Sequence, residues 1–597
     1  MSLQRPPETD LGPTGSETEP PSVSPARFQG AGGVASAVMA ALALTALNAP
    51  KPLQLDDATF YPNAVQIARH PLDPYGFSLL NGPANEALAP PVLPYWWAAG
   101  IVLFGEQPVL WKLWLLPISL VLTFALLSLL RRFAPGRETP LLWMITLSPA
   151  VLPGYNLMFD VPALALGLAA VACMLRSCER GSLALAMVAG VLAGLSIQTK
   201  YTGLIALAVV FAAAALARRW RLGLAAGLVA GLLFVGWESF VAARYGTSHF
   251  LFHLRQTRDV HAPLSTKPSL ALPLFIVLGG IGPAIAALGL AVLAARGWAL
   301  ATLVFAAVNY ALIGLIPRES NPVLIPYHYY PSEGLTANDL AFGLFGLAAL
   351  GAAAVAARRL WAGPATRTPS TALWESRLLV VWLALEVAGY FALTWFPAVR
   401  RVIGLSVVLT LVFGRLASER HGGRRSGGLL PGLAAVSVLL GLGFYVVDLC
   451  EARAAKHVAE AAAAYIFAHD PDPTMWYTGS WAFQFDAEHV GMKEFVPAPS
   501  GPARARSSKE PPPLPPTTFR RGDWIVLPSP PVPQQELGVA AKDLRVETVL
   551  EAGDRIPFRT VPCYYGARTP LQHQEGPRIL VQVIRVLADV VPTPRGK

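Results

Sequence analysis

Apolar residues in this chain come in long unbroken blocks, not in the alternating or every-third-and-fourth pattern of half-buried strands and surface helices. Blocks close to the roughly 20 residues needed to cross a bilayer core lie near 31–49, 108–130, 140–154, 161–176, 182–198, 202–217, 222–243, 269–295, 298–316, 338–357, 378–396, 401–417 and 428–448. The pattern predicts a mainly α, polytopic membrane helical bundle of about 13 spans. Ahead of it, residues 1–30 are rich in Pro, Ser, Thr, Glu and Gly and read as a disordered tail. The first block has no basic stretch immediately before it and many spans follow it, so it reads as an uncleaved span and not a removed signal. Beyond residue 448 the blocks stop. Strand-like pieces such as Trp524–Leu527 and Ile579–Val586, set among Pro- and Gly-rich turns, predict a small α/β domain over 449–597. Within it, Pro497–Pro516 reads as a flexible proline-rich loop.

The first inter-span loop, 50–107, is too long to be a simple connector. It carries two amphipathic pieces, Asp57–His70 and Pro91–Gly105, the second with Tyr95, Trp96 and Trp97 suited to the headgroup level. Hydrophobic residues make up 54% of the chain and charged residues only 14%, with a mean hydropathy of +0.46, so lipid is its main solvent. The net charge of +10 does not imply nucleic acid. Its arginines sit in short clusters between apolar blocks, for example Arg131, Arg132 and Arg137, Arg218, Arg219 and Arg221, and Arg358 and Arg359. The positive-inside rule places those clusters and the N-terminus in the cytoplasm. An odd span count then puts the C-terminal domain outside, in the periplasm of a multi-pass inner-membrane protein. Cys173, Cys178, Cys450 and Cys563 form no CxxC pair and no Cys/His cluster, so neither a zinc site nor a disulfide scaffold is expected.

Candidate chemistry gathers on the outer face. Asp56 and Asp57 are adjacent carboxylates just outside the first span. Such a pair suits a general base or a divalent cation, although an acidic helix start that caps free N–H groups is the commoner reason for the dipeptide. Asp160 stands at the outer start of the fourth span, where an ionisable group is costly and points to function; capping is the rival there too, helped by Pro162. Lys200, at the outer junction of the fifth and sixth spans, runs against the positive-inside trend and suits a phosphate, with snorkelling as the alternative. Arg255, Arg258, Arg400 and Arg401 are further outward-facing cations.

The blocks Asp56-Asp57-Ala58-Thr59-Phe60-Tyr61, His70–Phe77, Pro90–Trp96, Met158-Phe159-Asp160-Val161-Pro162 and Gly194–Tyr201 occur in an order, and at places on the outer face, that resemble bacterial GT-C membrane glycosyltransferases. Within these they look most like the group of dolichyl-phosphate-mannose protein mannosyltransferases and aminoarabinose transferases. The likeness covers about residues 31–250, and Phe396–Arg401 echoes a later block. It implies that Asp56 is the catalytic base with Asp57 beside it, that Asp160 is a second acid near the sugar, and that Lys200 lies near the lipid phosphate. One departure stands out: where aminoarabinose transferases carry Lys before Pro, this chain has Ala89-Pro90-Pro91, leaving Lys200, Arg255, Arg258 or Arg401 to hold the donor phosphate.

The reaction implied is an inverting transfer of a hexosyl or pentosyl unit from a polyprenyl-phosphate sugar to a hydroxyl of a glycan, lipid or protein acceptor, with no metal and no other cofactor. A transporter or lipid flippase using Asp160 and Lys200 within the membrane is the main alternative, but the sequence lacks the repeated halves common in transporters. A non-catalytic scaffold is a third reading, under which Asp56→Ala would change nothing.

Overall fold

The structure, a computed structural model, describes residues 29–592 apart from 55, 80–81, 88–89, 257–263, 318–319, 321–324, 328–329, 364–369, 395, 421–427, 480–482, 498–514, 530–536 and 561–569. Arg258, Cys563, nearly all of the expected N-terminal tail and most of the proline-rich loop therefore lie outside the described residues.

Each of the thirteen apolar blocks contains helix. Among the described residues, seven helices are long and apolar enough to cross a membrane: Pro108–Phe133, Asp160–Arg180, Trp220–Tyr245, Arg296–Leu315, Ala337–Ala362, Leu373–Leu393 and Leu429–His469. The chain is a polytopic membrane helical bundle. Shorter apolar helices, such as Leu183–Thr199 and Leu204–Leu216, pack between the long ones. Two blocks differ from single straight spans. The 140–154 block is helical only over Glu138–Thr146 and continues as turns. The 269–295 block breaks into Ala271–Ile281 and Pro283–Leu293, bent by 89°. The cause is Pro283, which has no N–H to donate and disfavours helix at the residue before it, here Gly282.

Glycine lets the first half of that bent pair sit against Ala337–Ala362. A methyl group on Gly279 would lie 1.9 Å from the Phe342 carbonyl oxygen, and one on Gly346 would lie 1.9 Å from that of Phe275. Small residues at both contacts allow the two backbones to touch, the usual means of helix association in lipid.

Both amphipathic pieces of the first loop are helical, as Asp56–Arg69 and Val92–Phe104. The second is tied to the following span by a reciprocal pair: Trp96 Nε1 donates to the Trp114 carbonyl at 3.1 Å and Trp114 Nε1 to the Trp96 carbonyl at 3.0 Å, with the rings stacked at 5.0 Å.

Leu429–His469 runs 41 residues without interruption into a five-stranded mixed sheet. The strand order is Lys493–Glu494, Met475–Tyr477, Trp524–Ser529, Ile579–Val586 and Leu544–Ala552. The first three strands are parallel and the last three antiparallel. Alternating burial along Ile579–Val586 places Val581 and Val583 against the long helix and Ile584 on the opposite face, among Phe495 and Phe519. Glu451 on the long helix accepts from Thr560 N at 2.9 Å and from Arg578 Nη1 at 3.4 Å, fastening sheet to helix. The short helix Gln484–His489 leans on the first-loop helix through Phe485, whose ring lies 5.1 Å from Tyr61 and 6.5 Å from Trp111.

Candidate functional site

Asp160 opens a membrane helix whose other end is Arg180. At that opposite end, Arg132 bridges Glu179 and Glu375, both at 2.8 Å, so the two faces of the bundle carry separate charge clusters. Asp160 is not a cap: the N-cap position is Phe159 and no side chain caps the helix. Its carboxylate pairs instead with Lys200. Lys200 ends the helix Leu183–Thr199 in extended conformation, which turns its side chain out of the helical path toward Asp160.

Asp56, 344 residues from its partner, pairs with Arg400. Arg401, next in the chain, is close enough to Asp160 and Asp56 to feel both charges, and Phe396 stacks near both guanidinium groups, at 5.6 Å from Arg400 and 5.2 Å from Arg401. Lys267, not singled out by the sequence, joins from another side by donating to the Thr394 carbonyl at 2.7 Å. Two carboxylates therefore face a larger set of cations, and the cluster carries surplus positive charge. Beneath it a cavity of about 80 Å³ runs between the spans, with Asp160, Arg400 and Arg401 at its charged end and Trp382, Glu386 and Tyr390 further along. Glu386 accepts from Trp382 Nε1 at 3.2 Å.

The structure separates the adjacent acids. Asp57 is fully buried and lies with Lys112 and Lys51, not with Asp160. Burial raises its carboxyl to about 6 against the pull of those two lysines. Around it is a buried polar network: Lys51 Nζ is 2.6 Å from Asp448 Oδ2 and 2.8 Å from the Pro153 carbonyl, Gln54 Nε2 is 2.9 Å from Asp448 Oδ1, and Lys112 donates to the Lys51 and Pro52 carbonyls. Lys51 and Asp448 have no exposed side-chain surface. None of Lys51, Lys112 and Asp448 was among the candidates, yet Lys112 within an apolar block is an intramembrane cation and so carries a signal.

Arg255 lies in the last turn of the short helix His249–Gln256 and is exposed; the structure does not bring it into the cluster. Among the described residues no group of three or more His, Cys, Asp or Glu is arranged to hold a metal, and Cys450 is unpaired.

No protein-family model matches the chain, and no curated protein does. Solved structures similar to it include two of one protein. ArnT from Cupriavidus metallidurans bound to undecaprenyl phosphate shares 17% identity, with a TM-score of 0.35 over 84% of this chain and 93% of that one. The apo form of the same protein gives 17% identity and a TM-score of 0.37 over 83% and 93%.

Proposed function

We propose that this chain is a membrane glycosyltransferase that moves a sugar from a polyprenyl-phosphate donor to an acceptor hydroxyl at the outer face of the inner membrane. The observation that carries this reading is the cluster itself: Asp56 and Asp160 each paired with a cation, with Arg401 and Lys267 in surplus, above a cavity that leads into the bundle. Surplus cations at the membrane boundary suit a lipid-linked phosphate, whose charge grows as the bond to the sugar breaks. The solved ArnT carries undecaprenyl phosphate, a donor carrier of this class.

Asp56 is the base. Its pairing with Arg400 occupies the carboxylate. An incoming phosphate competes for Arg400 and frees Asp56 to take the proton of the acceptor hydroxyl, whose oxygen attacks the anomeric carbon from the face opposite the phosphate. The C–O bond to phosphate breaks with inversion, and Arg400, Arg401 and Lys200 receive the leaving dianion. Asp160 holds Lys200 in place and lies nearest the sugar. Residues 31–448 form the catalytic membrane domain in this reading and 449–597 a periplasmic domain, with the Arg132 end of the bundle in the cytoplasm.

The test is transfer from a panel of radiolabelled polyprenyl-phosphate sugars in membranes, native protein against Asp56→Asn. Label reaching an acceptor only with the native protein is the expected result. No transfer from any donor by folded protein would overturn the enzyme reading in favour of transport, and equal transfer by both forms would remove Asp56 from the chemistry.

A further inference from the structure

Next to Lys200 is a hydrogen-bonded chain that the transfer reaction leaves unused. The Tyr201 hydroxyl lies 3.0 Å from Glu238 Oε1 and 2.5 Å from His249 Nδ1, and His249 Nε2 lies 3.1 Å from His253 Nε2. The other Glu238 oxygen accepts from Ser248 Oγ at 2.7 Å and from the Phe250 N–H at 2.9 Å. With both imidazoles neutral the donors run one way: His253 to His249, His249 to Tyr201, Tyr201 to Glu238. Every group then has a partner, and Glu238, buried in the wall of the helix Trp220–Tyr245, is the common acceptor. Packing adds to this: the Tyr201 ring meets Phe250 edge-on at 5.0 Å, and Tyr75 stacks on His249 at 5.9 Å.

What the chain holds is the tight turn Tyr201–Gly203, which directly follows Lys200. Lys200 contributes backbone to both sides: its N–H bonds the Ser196 carbonyl at 2.9 Å, and its carbonyl accepts from Gly203 N at 2.8 Å. Gly203 has no room for a side chain, since a methyl there would lie 2.5 Å from the Ser196 carbonyl carbon. The backbone carrying Lys200 is thus gripped by its own helix on one side and by Tyr201 on the other.

We infer that Tyr201, anchored by Glu238 and His249, is a positioning residue that sets where the Lys200 ammonium stands relative to Asp160. The inference rests on the proposed role of Lys200 at the donor phosphate. Tyr201→Phe keeps the ring and removes both hydrogen bonds, and Glu238→Leu removes the acceptor that Tyr201, Ser248 and Phe250 share.

Two measurements on the full chain in detergent test it. Hydrogen exchange at residues 200–203 becomes faster in both variants if the anchor holds the turn; unchanged exchange in both overturns the inference whether or not the protein transfers sugar. In the transfer assay, Tyr201→Phe raises the donor KM about tenfold with a smaller change in kcat, and adds nothing to Lys200→Ala in the double variant, because residues acting through one another are not additive. Additive losses would show that Tyr201 acts independently of Lys200 and would also overturn it. If the native protein transfers nothing, the proposed function fails and the exchange measurement alone decides the inference.

Discussion

Asp448→Ala is the substitution whose cost follows most directly from the structure. Asp448 accepts from Lys51 at 2.6 Å and from Gln54 at 2.9 Å, and neither member of the ion pair has exposed side-chain surface. Removing the carboxylate leaves an ammonium in the interior with a single carbonyl partner, Pro153, at 2.8 Å. Breaking one side of such a pair costs about 3–5 kcal/mol because the remaining charge stays desolvated. Asp448→Asn, which retains an oxygen for Gln54, loses less, about 1–3 kcal/mol. Replacing both partners, as Lys51→Met with Asp448→Leu, removes charge and counter-charge together, and this kind of exchange is often neutral or stabilising. Reversible denaturant unfolding in detergent, followed by tryptophan fluorescence, gives all three values. A loss below about 1 kcal/mol for Asp448→Ala, or a double variant less stable than Asp448→Ala, would refute the reasoning.

Arg400→Ala should lower transfer by about two orders of magnitude, with Arg400→Lys recovering part of it, because the fork that pairs with Asp56 is also the one that receives phosphate; steady-state kinetics with the donor check this. In the sheet domain, burial raises Asp486 from 3.8 to about 7. The stability given by its protonated form is complete below 3.8 and is lost as pH climbs to about 7, at up to about 1.4 kcal/mol per unit. Asp486→Asn should flatten that part of the unfolding curve, and an unchanged slope would count against it. Gly346→Ala must displace the Phe275 carbonyl, so the variant should lose folded yield in size-exclusion profiles, whereas Gly351→Ala, with open space around it, should not.

The apolar blocks alone make the bundle legible, because a bilayer demands length and apolarity and little else from each span. Strand pieces at Trp524 and Ile579 are equally plain, being rich in β-branched and aromatic residues between turns. Helix geometry explains the division of the acids: neighbours on an α-helix point about 100° apart, so Asp56 and Asp57 could not both face Arg400. The rest is tertiary. Arg400 reaches Asp56 across 344 residues and Lys51 reaches Asp448 across 397, and no local pattern encodes such pairings. Glu238, His249 and Tyr201 were missed for a similar reason: each is ordinary in its own segment, and only folding brings them together.

The 41-residue helix that leaves the bundle and enters the sheet has a consequence for rotational phase. Asp448 and Glu451 sit one turn apart on it, the first bound to the loop behind Asp56 and the second to Arg578 of the sheet. One residue inserted between Glu451 and His469 would turn the sheet's strands past the insertion by about 100° and lift them by about 1.5 Å, swinging Phe485 away from Tyr61 and Trp111. Seven inserted residues would nearly restore the azimuth but raise those strands by about 10 Å. Whatever work the sheet domain does is therefore set by an angle as well as a height, and a ladder of insertions of one to seven residues would read each of them separately.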